Sequence, residues 1–573
     1  MPRMKLAIKR TLKNPISSSE VVSLLLKDRG LENDSEFLNS PNPGSIDFGS
    51  FFERDYYKKN LAAILSLLTQ IKKNDETIVV YCDYDADGIT GGAVLWETLH
   101  LLGFKVFPHV PDRKNEGYGF SKVGIDLVKE KYNPKLIISV DHGIMGHSQI
   151  SYAKTLGIDV IVTDHHSKAE TDPTDALAIF HTNKLSGSGV AYFFAKTIFE
   201  ELKDLADDKT KTHLTKHFQN DYQALAAIGT IADLVPLTGS SRALVKYGLK
   251  ALTRSERPGL KHLFIDAEIV GRNMSPYDVG FIIAPRINAF GRLTHAIDAL
   301  RMLCTVSEAK ASELAKKSGT VNKDRQALVE IGIEQALKQV NENGKIIIVS
   351  SPDWNEGIIG LIASKLVEKY YRPAIVLAIS DGHAKASVRS ITGVDITALL
   401  RKHEKLLISI GGHAMAAGLS IEVKNLERFK KAILADAKKS ITDEQLIPTV
   451  QVDMEVPFEL NTLELAHTLE SLSPFGVGNP YPVFATEAEI VDKKLLGKNS
   501  DHLKLMVKSD DVLPIECMFF KQGTLHDELK IGEKRKLVYK LEINRWNGRE
   551  KVNMMGKIIL EPATIVATYL DGD

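Results

Sequence analysis

Short apolar runs alternate with amphipathic stretches over most of the chain. ETIVVYCD reads as a strand, and ITGGAVLWETLHLLG after it as a helix. KVFPHVP, KLIISVD and GIDVIVTD give further strands separated by helix-length segments, and a helix around Tyr57–Lys72 precedes the first strand. Alternation of this kind predicts an α/β domain, a parallel sheet with helices on its faces.

Residues 305–343 are polar and helix-prone, with a capping box expected at Thr305 and Glu308, and read as a connecting helix. A second α/β block starts at KIIIVSS, with strands KIIIVS and RPAIVLA flanking the helix of IIGLIASKLVEKY. The C-terminal part changes character. LVYKLEI puts Leu537, Tyr539, Leu541 and Ile543 on one face at period two, HLKLMV alternates in the same way, and Asn547-Gly548 signals a type I′ hairpin. A small antiparallel β-barrel is expected there. The chain therefore divides into an N-terminal segment (1–50), a parallel-sheet domain (51–304), the connecting helix (305–343), a second α/β domain (344–445) and the β domain (446–573).

Composition narrows the picture. A chain of 573 residues is too long for one hydrophobic core, and 44% hydrophobic with 25% charged residues is ordinary for globular domains. No run of 18 apolar residues occurs, so no membrane span is expected. MPRMKLAIKRTLKNP is basic, lacks the apolar stretch of a secretory signal, and reads as a solvated tail. Formal net charge is +0, so affinity for nucleic acid has to come from local lysines and arginines. Cys82, Cys304 and Cys517 are far apart, which supports neither a disulfide framework nor a cysteine zinc site and fits a reducing cytoplasm.

The acids sit where chemistry is expected. The first strand ends in Asp83, with Asp85 and Asp87 just beyond; KLIISVD ends in Asp141; GIDVIVTD ends in Asp164, followed by His165 and His166; Asp233 lies in GTIADLVPL. In open α/β sheets ligands bind beyond the carboxyl ends of the strands, where residues distant in sequence converge. One acid at a strand end commonly caps the next helix, but several together repel unless a cation is present. Carboxylates with one or two imidazoles suit Mg²⁺ or Mn²⁺. Two such ions roughly 3.5–4 Å apart suit phosphodiester hydrolysis. DYDADGI also matches the opening of an EF-hand loop, but position twelve is Val94 and a strand precedes it. No GxxxxGK[ST] occurs.

DYDADG, SVDHG, TDHH and GTIADLVPL, in this order, resemble the four motifs of the DHH phosphoesterase superfamily. GFIIAPRINAFGRL, PDRKNEGYGF and LSGSGVAYFFA resemble segments of RecJ exonucleases. WNEGIIGLIASKL, SVRS and GGHAMAAG resemble the DHH-associated domain, and SPFGVGNPYPVF with HLKLMV resembles the oligonucleotide-binding (OB) barrel of that family. The resemblance implies a 5′→3′ exonuclease on single-stranded DNA in recombination and repair, with two divalent ions. It further implies metal ligation by Asp85, Asp87, Asp141, His165 and Asp233, with Asp141 bridging. Asp83 is implied as an extra ligand or water-orienting group, His166 as a contact to the scissile phosphate, and Asp164 as a group orienting a histidine. By the same resemblance Arg389 and Ser387 clamp the 5′-phosphate with Arg113, Arg286 and Arg325 nearby, and His413 contacts the nucleotide. Trp546, Arg545, Arg549 and Lys504 are candidates for holding the strand on the barrel. Family analogy adds a helicase and a single-strand-binding protein as partners. Cys82, usually glycine in the family, and Asn355, usually histidine, depart from the pattern.

Two other functions share parts of it. An oligoribonuclease or cyclic-dinucleotide phosphodiesterase of the superfamily lacks the barrel and the APRINAFGR segment. An inactive DNA-binding scaffold requires a broken metal centre, and every expected ligand is present.

Overall fold

Five parallel strands carry the first domain, in the order Val106–His109, Ile78–Cys82, Leu136–Val140, Asp159–Asp164, Ala178–His181. The computed structural model describes residues 4–31, 35–113, 115–117, 119–509, 512–560 and, as backbone only, 567–569. Chain order reverses between Ile78–Cys82 and Leu136–Val140, because the strand after Ile78–Cys82 lies on one side and the next on the other. Such a switch point opens a crevice at the strands' carboxyl ends. Side chains alternate between faces: Ile78, Val80 and Cys82 pack on Ala86–Leu101 and Gly187–Leu202, whereas Val79 and Tyr81 pack on Lys122–Tyr132 and His147–Thr155. The Ala178–His181 strand was not expected from the pattern. Its AIFH stretch is too short to stand out from the loop around it.

The connecting element is the helix Glu308–Leu337. Its cap differs from the expectation. Ser307 accepts the Lys310 N–H, and Thr305 only accepts the Ser307 N–H (3.2 Å). With the helix starting at Glu308, its third residue is Lys310, which has no acceptor to complete a capping box. The second α/β domain is a five-stranded mixed sheet, Ser409–His413, Ala416–Glu422, His383–Arg389, Ala374–Ser380, Ile347–Ser351, in which the last two pair in parallel.

The β domain closes into a barrel because Phe484–Leu496 pairs with His502–Lys508 on one side and Lys534–Trp546 on the other. Both turn residues of the hairpin have positive φ, 49° at Asn547 and 71° at Gly548, as type I′ requires. Leu537, Tyr539 and Leu541 line the interior, with Ile543 packed at its edge. Val538, on the other face, is equally buried, since Leu6, Ile8 and Val452 cover it.

That cover overturns the solvated-tail reading of the N-terminus. Lys5–Ile8 is a strand paired in parallel with Thr449–Val452 and Ala567–Tyr569. Val21, Val22, Leu25 and Phe37 also join the barrel's core. Arg242 fastens this assembly to the first domain. From the helix Gly239–Thr253 its wholly buried guanidinium donates to the carbonyls of Phe37 (2.6 Å), Leu472 (2.9 Å), Ser473 (2.8 Å) and Pro474 (3.1 Å), and it lies 3.9 Å over the Phe37 ring.

Arg242→Ala removes the guanidinium from all four carbonyls, leaving Leu472 and Pro474 only their bonds from Asn479 Nδ2. Charged hydrogen bonds contribute about 1.5–3 kcal/mol each, so the midpoint of urea unfolding falls clearly. Arg242→Lys does not restore it, because one ammonium cannot reproduce the fork. An unchanged midpoint in both variants would contradict the clamp.

Candidate metal centre

Each acid is positioned by the end of an element. Asp83 follows the strand Ile78–Cys82 and accepts the Tyr84 N–H (2.8 Å). Asp85 caps the helix Ala86–Leu101 through the N–H groups of Asp87 and Gly88. Asp87, in that first turn, accepts from Gly187 (2.6 Å) and Ser188 (3.0 Å), the N-terminus of a second helix. Asp141 follows Leu136–Val140 with φ +68°, a left-handed conformation rare outside glycine and frequent at functional sites. Asp233 caps the helix Asp221–Ala232 at its C-terminus.

These side chains converge. His165 Nε2 lies 3.1 Å from Asp141 Oδ1, 3.4 Å from Asp233 Oδ2 and 3.8 Å from Asp87 Oδ2. Ligand atoms of Asp83, Asp85 and Asp141 form one group within 4.8 Å of one another, those of Asp87, His165 and Asp233 a second, and those of Asp141, His165 and His166 a third. Two glycines make room. A Cβ at Gly187 would sit 2.3 Å from Asp141 Oδ1, and one at Gly229 2.3 Å from Asp87 Oδ1. Asp141 Oδ1 and His165 Nε2 are buried without a hydrogen-bond partner. Divalent cations fit this donor set: they satisfy both orphaned atoms and offset the clustered charge.

The electrostatics separate the residues into two kinds. Burial, then the neighbouring Asp85 carboxylate, pushes Asp83 up to about 8; burial and Asp87 do the same to Asp233. Asp141 is held well above the ordinary carboxylate range by burial and the acids around it. Burial also raises Asp164, but its bonds from His166 and from the Ile144 N–H outweigh that and hold it low. Burial opposes charge on His166, yet its 2.8 Å bond to Asp164 lifts it to about 9, so it is a cation at neutral pH. His165, lowered chiefly by burial, stays neutral as a metal ligand must.

Arg113, Arg292 and Arg325 gather beside the acid loop. The Arg113 guanidinium lies 5.5 Å over the Tyr84 ring. Arg292, which sequence reasoning missed, is pushed down to about 10 by burial and by Arg113 and Arg325. Its Nη1 donates to the Gly357 carbonyl of the second α/β domain (2.9 Å). Arg325 donates to Asn322 (3.2 Å), and Arg389 to Ser387 Oγ (3.2 Å) and the Val388 carbonyl (2.9 Å). None of these four arginines forms an ion pair among the described residues. His413 and His166 line one cleft of about 590 Å³ between the two domains, with Lys168 and Arg401.

Not every candidate joins them. Arg286 turns to Asp266 (3.5 Å) and the Ile282 carbonyl (3.0 Å). Arg545 is bound by Glu470 (2.8 and 2.9 Å) and by Glu550, and Lys504 by Glu516 (2.6 Å). Trp546 is 75% exposed and lines a cavity of about 680 Å³ on the barrel together with Arg549 and Asn553. Cys82 occupies an ordinary strand position, its thiol filling the space beside Gly92. Asn355 accepts the Gly357 N–H (2.7 Å), so its side chain shapes the loop that meets Arg292.

The raised carboxylates make a pH signature. Because Asp83 and Asp233 hold protons in the folded chain at pH values where the unfolded chain has released them, stability without metal falls as pH rises from about 4 to about 8. Mn²⁺ replaces those protons, so its stabilising shift in melting temperature is larger at pH 8 than at pH 5. Scanning fluorimetry in EDTA and in Mn²⁺ checks this, and a flat metal-free profile would contradict it.

Family models match three stretches: the DHH family N-terminal domain over residues 77–230, the DHHA1 domain over 343–439 and the RecJ OB domain over 452–557. The single-stranded-DNA-specific exonuclease RecJ of Bacillus subtilis is 34% identical over 96% of this chain and 69% of its own length. That of Haemophilus influenzae is 31% identical over 96% and 98%. The crystal structure of RecJ from Thermus thermophilus in complex with Mn²⁺ superposes with a TM-score of 0.80 at 29% identity, covering 97% of this chain and 80% of that one. With its acids and histidines gathered at the switch point of a DHH-type sheet, and with the DHHA1 and OB domains following in order, the chain belongs to the RecJ family of single-stranded-DNA-specific exonucleases.

Proposed function

We propose that this chain hydrolyses single-stranded DNA from its 5′ end, releasing 5′-mononucleotides with two divalent ions, Mn²⁺ or Mg²⁺, in recombination and repair. The observation that carries this reading is the cluster of Asp83, Asp85, Asp87, Asp141, His165 and Asp233, joined through Asp141 and His165 to His166, which lines a cleft whose far wall belongs to the DHHA1 domain. Asp85, Asp87, Asp141, His165 and Asp233 would hold the ions, and Asp141, which belongs to two of the three ligand groups, would serve both. When bound, the ions supply a water acidified for attack and neutralise the leaving oxygen.

The chain's own residues do the rest. Asp83 accepts a hydrogen bond from the attacking water or completes the ligand set. His166, kept cationic and oriented by Asp164, presents its outer N–H to a non-bridging phosphate oxygen. Arg389 with Ser387 receives the 5′-phosphate, supported by Arg113, Arg325 and Arg292, the last in the place expected of Arg286. A guanidinium without a carboxylate partner keeps its donors free for phosphate. His413 contacts the nucleotide from the opposite wall, and Trp546 with Arg549 takes the strand farther along. Single strands come from a helicase or from a single-strand-binding protein. Cys82, Cys304 and Cys517 are all unpaired, which suits a reducing cytoplasm.

DNA labelled at one end decides polarity. A 5′ label is released at once as mononucleotide, a 3′ label only after shortening, both require metal, and Asp141→Ala abolishes both while the fold persists. Release that starts from a 3′ label, or normal turnover by a folded Asp141→Ala chain, would contradict the reading.

Arg389→Ala weakens binding of 5′-phosphorylated ends about tenfold or more relative to 5′-hydroxyl ends, since a charged hydrogen bond contributes about 1.5–3 kcal/mol. The melting temperature stays put. Equal losses on both ends together with a lowered melting temperature would remove Arg389 from the site.

A further inference from the structure

A guanidinium kept free for a phosphate has to be held in place by something other than a carboxylate of its own. Arg113 lies 5.5 Å over the Tyr84 ring and repels Arg292, which Arg325 repels as well. Like charges gathered on flexible stems drift apart into solvent unless the backbone beneath them is fixed. For Arg113 the fixing group stands three residues further on, at Glu116.

The Glu116 side chain is only 4% exposed, and glutamate is almost never fully buried unless paired. Both of its oxygens are taken. Oε1 accepts the Asp112 N–H (2.8 Å), and Oε2 accepts from His109 Nε2 (2.8 Å). The Glu116 N–H in turn donates to the Asp112 carbonyl (2.8 Å). Asp112, the residue just before Arg113, is thus bound to Glu116 through both its N–H and its carbonyl. Burial opposes charge on Glu116, but the bonds from His109 and Asp112 outweigh it and hold the carboxyl below its ordinary value. The seat is fitted: a Cβ at Gly124 would collide with Tyr81 Oη and lie 2.8 Å from Glu116 Oε2.

The anchor leads back to the acid loop. His109 ends the strand Val106–His109 and stands opposite Tyr81 of Ile78–Cys82, with 4.5 Å between the ring centroids. Asp83 follows that same Ile78–Cys82 strand. One pair of strands therefore carries the acid loop and, through His109 and Glu116, the turn that bears Arg113.

We propose that Glu116 is a positioning residue for recognition of the 5′ end: it fixes the turn at Asp112 so that Arg113 meets the terminal phosphate at a set distance from the metal centre. This rests on the 5′-exonuclease reading above. Glu116 acts through Arg113, since its own oxygens are occupied. A carboxylate that merely supported the edge strand would change stability without regard to the end group.

The test uses the full chain and 3′-labelled single strands ending in 5′-phosphate or 5′-hydroxyl, with binding read in EDTA so that no hydrolysis occurs. The unmodified chain prefers the phosphorylated end. Glu116→Ala reduces that preference about tenfold, as Arg113→Ala does, and the double variant loses no more than Arg113→Ala alone. Glu116→Gln keeps most of the preference, because its amide oxygen still accepts from Asp112 and its NH₂ donates to a neutral His109 ring. Glu116→Asp, one methylene too short to span Asp112 and His109, loses it, and carries the test if the alanine variant does not fold. With Mn²⁺ added, the loss on phosphorylated strands falls on KM more than on kcat. The Mn²⁺-induced shift in melting temperature stays that of the unmodified chain. Additive losses in the double variant, equal losses on both ends, or loss of the Mn²⁺ shift would overturn the anchor. If the unmodified chain shows no preference for a 5′-phosphate, the 5′-end reading fails and the anchor with it. A preference that Arg113→Ala removes, and that Glu116→Ala and Glu116→Asp leave intact, sinks the anchor alone.

Discussion

Mutual repulsion among buried carboxylates is the constraint around which the first domain is arranged. Asp83, Asp87 and Asp141 are almost wholly buried within a few ångströms of Asp85 and Asp233. Bringing such charges together is costly unless cations or oriented donors answer them. The fold answers in part. Asp85 caps one helix N-terminus and Asp87 accepts from a second, where unsatisfied N–H groups favour negative charge. Burial and Asp87 raise Asp85 even so, and Asp83, Asp141 and Asp233, which cap no helix N-terminus, rise far above the ordinary range, the state of a site built around divalent ions.

Adjacent residues can then serve opposite ends. His165 and His166 are consecutive, yet one is neutral with its ring nitrogen against Asp141, and the other is cationic on Asp164. Desolvation and one well-placed carboxylate decide between a metal ligand and a charge donor to phosphate. The run Pro276–Leu293 connects these groups to the second domain, with Asn288 on the acid loop and Arg292 on Gly357. Arg242 acts comparably at the other end of the molecule, where a guanidinium in a cluster of carbonyls joins the barrel assembly to the first domain.

Much of this was legible along the chain, because backbone periodicity and strand-end chemistry are local. The run ETIVVYCD announced both a strand and the acid at its end, and Asn547-Gly548 announced its turn because only residues tolerating positive φ make it. Other features were not local. The Lys5–Ile8 strand pairs with residues more than four hundred positions away, so its short alternation read as a tail. Arg286 and Arg292 sit in one motif and differ only in which side of a helix they face, and Asp266, which holds Arg286, lies in another helix.

By itself, the sequence determined the fold class, the family and the set of acids and imidazoles, since each depends on residue types in a fixed order. Only the tertiary structure decided which cations stay free. Arg545 and Lys504 look as available in sequence as Arg389 does. Glu470 and Glu516 claim the first two, whereas no carboxylate among the described residues meets the third. Whether a charge is spent inside the protein depends on what the fold brings within about 4 Å of it, and separation along the chain carries no information about that distance.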